Sequence, residues 1–296
     1  MSVFGSEINR FIKSKSILNR LMLINIGLFL VISILAVIGY LSGIGKIEKL
    51  IVYNLAVPAS LSELLYKPWT LFTYMFLQED FFHVLFNMIM LYFGGKLFSD
   101  LLGERRLLAV YILGGLAGAV LYIVSFNVFP AFQNTINSSI ALGASASVLA
   151  VFVAVAAYMP DMQVTLFLFG NIKLKWVALI MVVLDFINIK NGNSGGHIAH
   201  IGGAIFGLIY TLSLQKGTDL SKGINKLFEG ITSLFKPKPK MKVAYKKTKS
   251  DAEFNTNKKA KQQQVDAILD KISKSGYDSL TKEEKDILFK ISKENF

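Results

Sequence analysis

Six stretches of this chain are apolar for long enough to cross a lipid bilayer: residues 21–42, 82–99, 107–126, 144–160, 174–189 and 198–215. A ~30 Å hydrocarbon core takes about 20 helical residues to span. Backbone in hydrocarbon must also satisfy its own hydrogen bonds, which a helix does segment by segment. So many runs in 296 residues leave little chain for a water-soluble core, and only 18% of the residues are charged. The expectation is an all-α polytopic membrane protein with a six-transmembrane-helix core over 21–215, behind an N-terminal segment at 1–20. Arg10, Lys13, Lys15 and Arg20 precede the first run as they would in a signal peptide. No small-residue cleavage site follows and five more runs do, so the first run is expected to be retained. The chain has no cysteine, which excludes disulfides, cysteine nucleophiles and thiolate metal sites.

Charge placement orients the helices. Basic residues lie before the first run, in "GERR" at 103–106, at Lys173 and Lys175, and after the sixth run, while the 127–142 loop carries no charge. The positive-inside rule then puts both termini in the cytoplasm and the 127–142 and 43–80 loops outside. The expected location is the plasma (inner) membrane. Beyond the last run the composition changes. Residues 216–262 read as a polybasic cytoplasmic linker, with ten lysines against Asp251 and Glu253 between 236 and 261. Such a segment suits anionic lipid at a cytoplasmic membrane face, or serves as a solvated tether; nucleic acid is not an expected partner. Residues 263–296 read as a small helical hairpin. Val265, Ile268, Leu269 and Ile272 share one face, Gly276 stops the first helix, and "TKEE" at 281–284 is a capping box for the second. A hairpin this short calls for a protein partner surface.

Polar side chains inside apolar runs are costly and point to function. Three groups stand out. His83 and Asn87 share a face at i, i+4 in the second run, Ser145 and Ser147 open the fourth, and His197 and His200 open the sixth. These are all three histidines of the chain. In the alternating topology the three groups lie at similar depth. Ala146, Ala150 and Ala154 in the fourth run and Gly203 and Gly207 in the sixth form small-residue rows that let two helix backbones approach closely. A serine beside a neutral imidazole is a nucleophile with its base. His83, Asn87 and the Ser145 amide could then hold an oxyanion. Taken singly, each residue has an ordinary structural reading as a packing serine, an interfacial histidine or an interhelical asparagine. The conjunction is what points to chemistry.

The set "HVLFN" in the second run, G-x-S in the fourth and "AHIGGAIFG" in the sixth resembles the rhomboid intramembrane serine proteases. That resemblance implies a Ser–His dyad that cleaves transmembrane segments of other proteins. By it, Gly143, Ala144, Ser145 and Ala146 stand at the family's G-x-S-G, with Ser145 the nucleophile. His200, followed by Gly203 and Gly207, is the base and His197 a neighbour, while His83 and Asn87 are the oxyanion donors. The sequence departs from the pattern at Ala146, where the family has glycine, and at Thr70, where it has arginine. Leu149 stands where many relatives carry an aromatic residue. Asp185 is an acid within the fifth run, for which a structural hydrogen bond is the expected role. The competing class is a catalytically inactive rhomboid-like protein that binds transmembrane helices for trafficking or quality control. A metal hydrolase built on His83, His197 and His200 has weaker support, since no H-E-x-x-H occurs; neither metal nor cofactor is expected.

Overall fold

The computed structural model describes residues 9, 11–14, 16–44, 47–166, 170–235 and 251–294. Arg10 and Lys15 of the N-terminal basic cluster and residues 236–250 of the expected lysine-rich linker lie outside the described residues. Residues up to 236 and from 237 onward form two separate compact units.

In the first unit α1 is Ile17–Leu41 and α2 Ile47–Leu55, followed by the two-residue strand β1 at Val57–Pro58. Short helices α3 at Leu61–Tyr66 and α4 at Thr70–Thr73 lead to α5 at Phe81–Leu102 and α6 at Glu104–Val128. Strand β2 is Ile140–Ala141 and α7 Ser145–Tyr158. A hairpin of β3 at Gln163–Leu166 and β4 at Gly170–Lys173 precedes α8 at Leu174–Asn188, α9 at Ser194–Gln215 and α10 at Ser221–Phe235.

Each of the six apolar runs coincides with one of the helices α1, α5, α6, α7, α8 and α9. Four of these, α1, α5, α6 and α9, are long and apolar enough to cross a membrane. The other two are shorter, as the runs at 144–160 and 174–189 already are. At 14 residues α7 rises only about 21 Å, because the chain turns away at Met159 and Pro160. Helix α8 has 15 residues. The short helix is the centre of the bundle: every residue from Ala146 to Ala156 is buried, and α5, α6, α8 and α9 all pack on it. A central helix needs no lipid-length exterior, because neighbouring helices rather than acyl chains cover it. By contrast α8 buries only Leu174 and Ala178, and Leu179, Ile180, Val183, Leu184 and Ile187 stand about half exposed. Together with the exposed aliphatic residues of α1, they form the apolar surface that a bilayer covers.

The close packing rests on glycine. A methyl group at Gly203 or Gly207 would collide with the carbonyl oxygen of Ala146 or Ala150, so α9 lies directly on the backbone of α7. The methyls of the same two alanines point elsewhere, against Gly118 and Gly114 of α6. Each alanine therefore uses a glycine on both neighbouring helices. The Thr211 hydroxyl donates to the Ala154 carbonyl at 2.8 Å and continues the seam one turn on.

Residues 47–80 are ordered by hydrogen bonds. β1 pairs antiparallel with β2, Val57 opposite Ala141. Trp69 donates its indole N–H to the Asn54 carbonyl at 2.9 Å, and Thr73 donates to the Leu55 carbonyl at 2.6 Å. Thr70, at the position expected to hold arginine, is fully buried and donates to the Lys67 carbonyl at 2.6 Å. Lys67 in turn sits 3.2 Å from the Tyr53 ring centroid. The loop is thus fastened without a guanidinium. At the turn before β3, Lys175 and Lys173 both lie 2.9 Å from the Asp161 carboxylate; their hydrogen bonds pull it down to about 2.

The second unit contains α11 at Asp251–Ser275 and α12 at Lys282–Glu294. Gly276, with φ of 76°, ends α11. The Thr281 amide donates to the Glu284 carboxylate at 2.8 Å and the Glu284 amide to the Thr281 hydroxyl at 3.3 Å, the reciprocal pair of a capping box. Lys271 joins Glu284 across the hairpin at 2.9 Å. Helix extends N-terminally to Asp251, into the stretch expected to be unstructured linker. Helix α10 also falls within the expected 216–262 linker; the Asp219 carboxylate ahead of it accepts from Arg106 at 2.8 Å and from the Ser221 hydroxyl at 2.6 Å.

Candidate active site

Ser145 is the first residue of α7, so its amide has no intrahelical acceptor. The strand-like approach that delivers it is fixed from outside the helix. The Gly143 amide donates to the Tyr74 carbonyl at 3.0 Å, while the Tyr74 hydroxyl is anchored on the Gly115 carbonyl of α6 at 2.5 Å. Gly143 has φ of 137°, a conformation that residues with a Cβ rarely adopt.

Across the α7–α9 seam the Ser145 Oγ and His200 Nε2 are 2.5 Å apart. His200 Nδ1 lies 2.8 Å from Asp185 Oδ1, and His197 Nδ1 lies 2.8 Å from the same oxygen. An ionised carboxylate only accepts, so each Nδ1 carries the proton. Neutral His200 then presents a bare Nε2 that accepts from the serine hydroxyl. The two imidazoles stand nearly perpendicular, with ring centroids 6.0 Å apart.

His83 opens α5 beneath Gly143. Its Nδ1 accepts from the Glu79 amide at 3.2 Å, which leaves the proton of the neutral ring on Nε2. A methyl group on Gly143 would lie 3.2 Å from His83 Nε2 and 3.2 Å from Ser145 Oγ. The two side chains therefore face one small space, kept open because residue 143 has no side chain. Asn87 is buried one turn deeper on the same helix, and its amide donates to Gln78 at 2.8 Å. Gln78 donates to Asn25 at 2.8 Å, Asn25 to the Tyr111 hydroxyl at 3.1 Å, and Tyr111 to the Met75 carbonyl at 2.9 Å. A continuous buried polar chain thus ties Asn87 to α1 and α6. Ser147 is no part of the site. It is fully buried against Gly115, and its hydroxyl has no hydrogen-bond partner among the described residues.

The sequence-selected residues Ser145, His200, His197, His83 and Gly143 come together, and Ala146, Gly203 and Gly207 form the contact that holds them there. Asn87 is bound to Gln78. The geometry adds Asp185, Gln78 and the α6 glycines. Asp185 carried a signal, an acid in an apolar run 12 and 15 residues before the two histidines. Gly114 and Gly118 form a second small-residue row in "GGLAG", four residues apart.

Residues 66–217 match the Rhomboid domain family. The chain belongs to the rhomboid family. It is 29% identical over 157 residues to RHOMBOID-like protein 12, mitochondrial, of Arabidopsis thaliana, covering 50% of this chain and 47% of that one. It is 31% identical over 131 residues to Presenilin-associated rhomboid-like protein A, mitochondrial, of Danio rerio, covering 43% and 33%. This rhomboid chain thus aligns with less than half the length of either relative. Residues 248–294 separately match a family of unknown function, DUF6576.

The methyl that this rhomboid carries at Ala146 is accommodated by α6, where a methyl on Gly118 would lie 2.8 Å from it. Ala146→Gly is therefore expected to remove a filled contact rather than relieve a clash. The cost is about 1 kcal/mol of helix propensity, read as a lower melting temperature. A rise in melting temperature would show that the alanine holds the helices apart.

Proposed function

We propose that the protein is an intramembrane serine endopeptidase that cuts transmembrane segments of other membrane proteins with Ser145 and His200. The observation that carries this reading is the 2.5 Å contact between Ser145 Oγ and the bare Nε2 of His200. Ser145 Oγ attacks the carbonyl carbon of an unwound substrate segment as His200 Nε2 takes its proton. The carbonyl becomes an oxyanion, accepted by the Ser145 amide and by the Nε2–H of His83 in the space over Gly143, with Asn87 one turn below. His200 then gives its proton to the leaving amine, and an acyl-enzyme on Ser145 remains. Water, deprotonated by His200, attacks the ester carbonyl; the hydroxyl is restored and a carboxylate product leaves. Unwinding is part of the substrate requirement, because an intact helix keeps its carbonyls hydrogen-bonded.

The reading includes a six-helix membrane core in which short α7 and α8 complete the bundle, and a site that opens on the face opposite the basic termini. The lysines flanking the core support that orientation by the positive-inside rule. The relatives' names are mitochondrial and lend no support to a plasma-membrane location. The C-terminal hairpin is a cytoplasmic unit for a protein partner, joined to the core by a lysine-rich segment suited to anionic lipid.

The test is cleavage of a reporter transmembrane substrate in proteoliposomes, with labelling of Ser145 by a fluorophosphonate. Wild type is expected to cleave and label, and His200→Ala to lose both by at least about a thousandfold. Undiminished cleavage by His200→Ala would sink the assignment.

A further inference from the structure

We propose that Asp185 is a positioning residue that completes a Ser145–His200–Asp185 relay, with His197 as a second donor that keeps the Asp185 carboxylate aimed at His200. The inference rests on the Ser145–His200 reading and extends it beyond a dyad.

Asp185 is the sole charged residue in the stretch Trp176–Asn188 of α8, "WVALIMVVLDFIN". A carboxylate there is costly unless donors compensate it. Two do, and both converge on Oδ1 at 2.8 Å. His197 and His200 are one turn apart on α9 and so share the face turned to α8. The connection between the helices is built to make that meeting. The Ser194 hydroxyl donates to the Ile189 carbonyl at 2.5 Å. Asn193, at φ of 43°, caps α9 by accepting from the Gly196 amide at 3.2 Å. The chain thereby reverses within five residues and lays the first turn of α9 beside the last turn of α8.

The contact does two things for His200. It fixes the proton on Nδ1, so that Nε2 is an acceptor when the serine hydroxyl arrives. It also places a negative charge against the imidazolium that forms as Ser145 loses its proton, and that charge acts only once the ring is protonated. Asp185 takes no proton and touches no substrate; it works through the ring. His197 has a different task. A single donor would leave the carboxylate free to rotate about its last bond, and the second N–H on the same oxygen holds it.

The experiment compares Asp185→Asn, Asp185→Glu and His197→Gln in the full-length protein, reconstituted in liposomes with the reporter substrate and with Ser145→Ala alongside. Asp185→Asn keeps shape but loses charge. It is expected to lower kcat by about 30- to 1000-fold, with KM within about threefold and fluorophosphonate labelling slowed in parallel. Asp185→Glu keeps the charge and is expected to recover at least about a third of the lost decades in rate. His197→Gln, which retains a donor, is expected to stay within about tenfold of wild type. Wild-type kcat in Asp185→Asn with Ser145→Ala inactive would overturn this proposal and leave the nucleophile standing, whereas cleavage by Ser145→Ala would remove the underlying reading. A rise in KM and a fall in melting temperature shared by Asp185→Asn and Asp185→Glu, with kcat intact, would assign the carboxylate to helix packing and likewise overturn the relay.

Discussion

Ser145→Ala is expected to reduce cleavage about ten-thousand-fold, and Ser145→Ala combined with His200→Ala to reduce it no further. In the proposed mechanism the two side chains act as one unit. The base has no hydroxyl proton to take when the serine oxygen is gone, and the serine at its ordinary acidity is a weak nucleophile when the imidazole is gone. Removing either therefore removes the same stabilisation, roughly 5.5 kcal/mol of barrier for a ten-thousand-fold loss, and the two losses do not add. The residual rate in both variants comes from the oxyanion donors and from substrate held in place. Multiplicative losses, measured as single-turnover cleavage in the same liposomes, would mean that Ser145 and His200 serve separate functions despite their 2.5 Å contact.

The second large effect is expected at a residue that touches neither substrate nor base. Gly203→Val places a branched side chain where even a methyl group meets the carbonyl oxygen and carbon of Ala146. Neither partner can yield easily. Ala146 is pressed on its other side against Gly118, and Gly202 of α9 against the Ala117 carbonyl. The helices must separate at the turn that holds Ser145 and His200. A displacement near 1 Å costs about a hundredfold in rate, and overpacking costs about 1–3 kcal/mol of stability. Gly203→Val is thus expected to retain fold and membrane insertion but to lose about a hundredfold in cleavage and to melt at a lower temperature. Gly27→Val, at a position with open space around it, is the control. Wild-type cleavage in Gly203→Val would mean that the seam does not set the distance between the pair.

Much of this arrangement is legible in the amino acids because a membrane helix has few ways to use a polar or a glycine residue. Ser145, His83 and His200 stand out against apolar neighbours, and small residues at i, i+4 mark a face that lies against another backbone. What cannot be read is which face of a small residue meets which neighbour. The alanine row looks like the partner of α9 alone, yet the methyls of Ala146 and Ala150 serve α6 while their carbonyls serve α9. The runs at 144–160 and 174–189 already carry the short lengths of α7 and α8, but not that α7 is the centre of the bundle. Hydropathy does not distinguish protein neighbours from lipid ones. Asp185 was visible as an anomaly, but its partners lie 12 and 15 residues on, beyond any helical periodicity. Their meeting depends on the Asn193 turn. Thr70 illustrates the opposite limit: the loss of an arginine is plain in the sequence, whereas the hydrogen bonds of Trp69, Thr70 and Thr73 that fasten the loop go to backbone carbonyls and leave no pairwise signature.

The two-sided fit of Ala146 bears on how chains of this kind are sorted. A filter that demands G-x-S-G would set this chain among the inactive ones for one methyl group. That methyl occupies volume vacated on a different helix, 28 residues upstream. At Gly118 no such exchange is open, since a methyl there would also press on the Ala199 carbonyl at 2.7 Å and the Tyr74 hydroxyl at 3.2 Å. Residue 146 is the negotiable half of the pair, and a string of four letters cannot be scored without the letter it packs against.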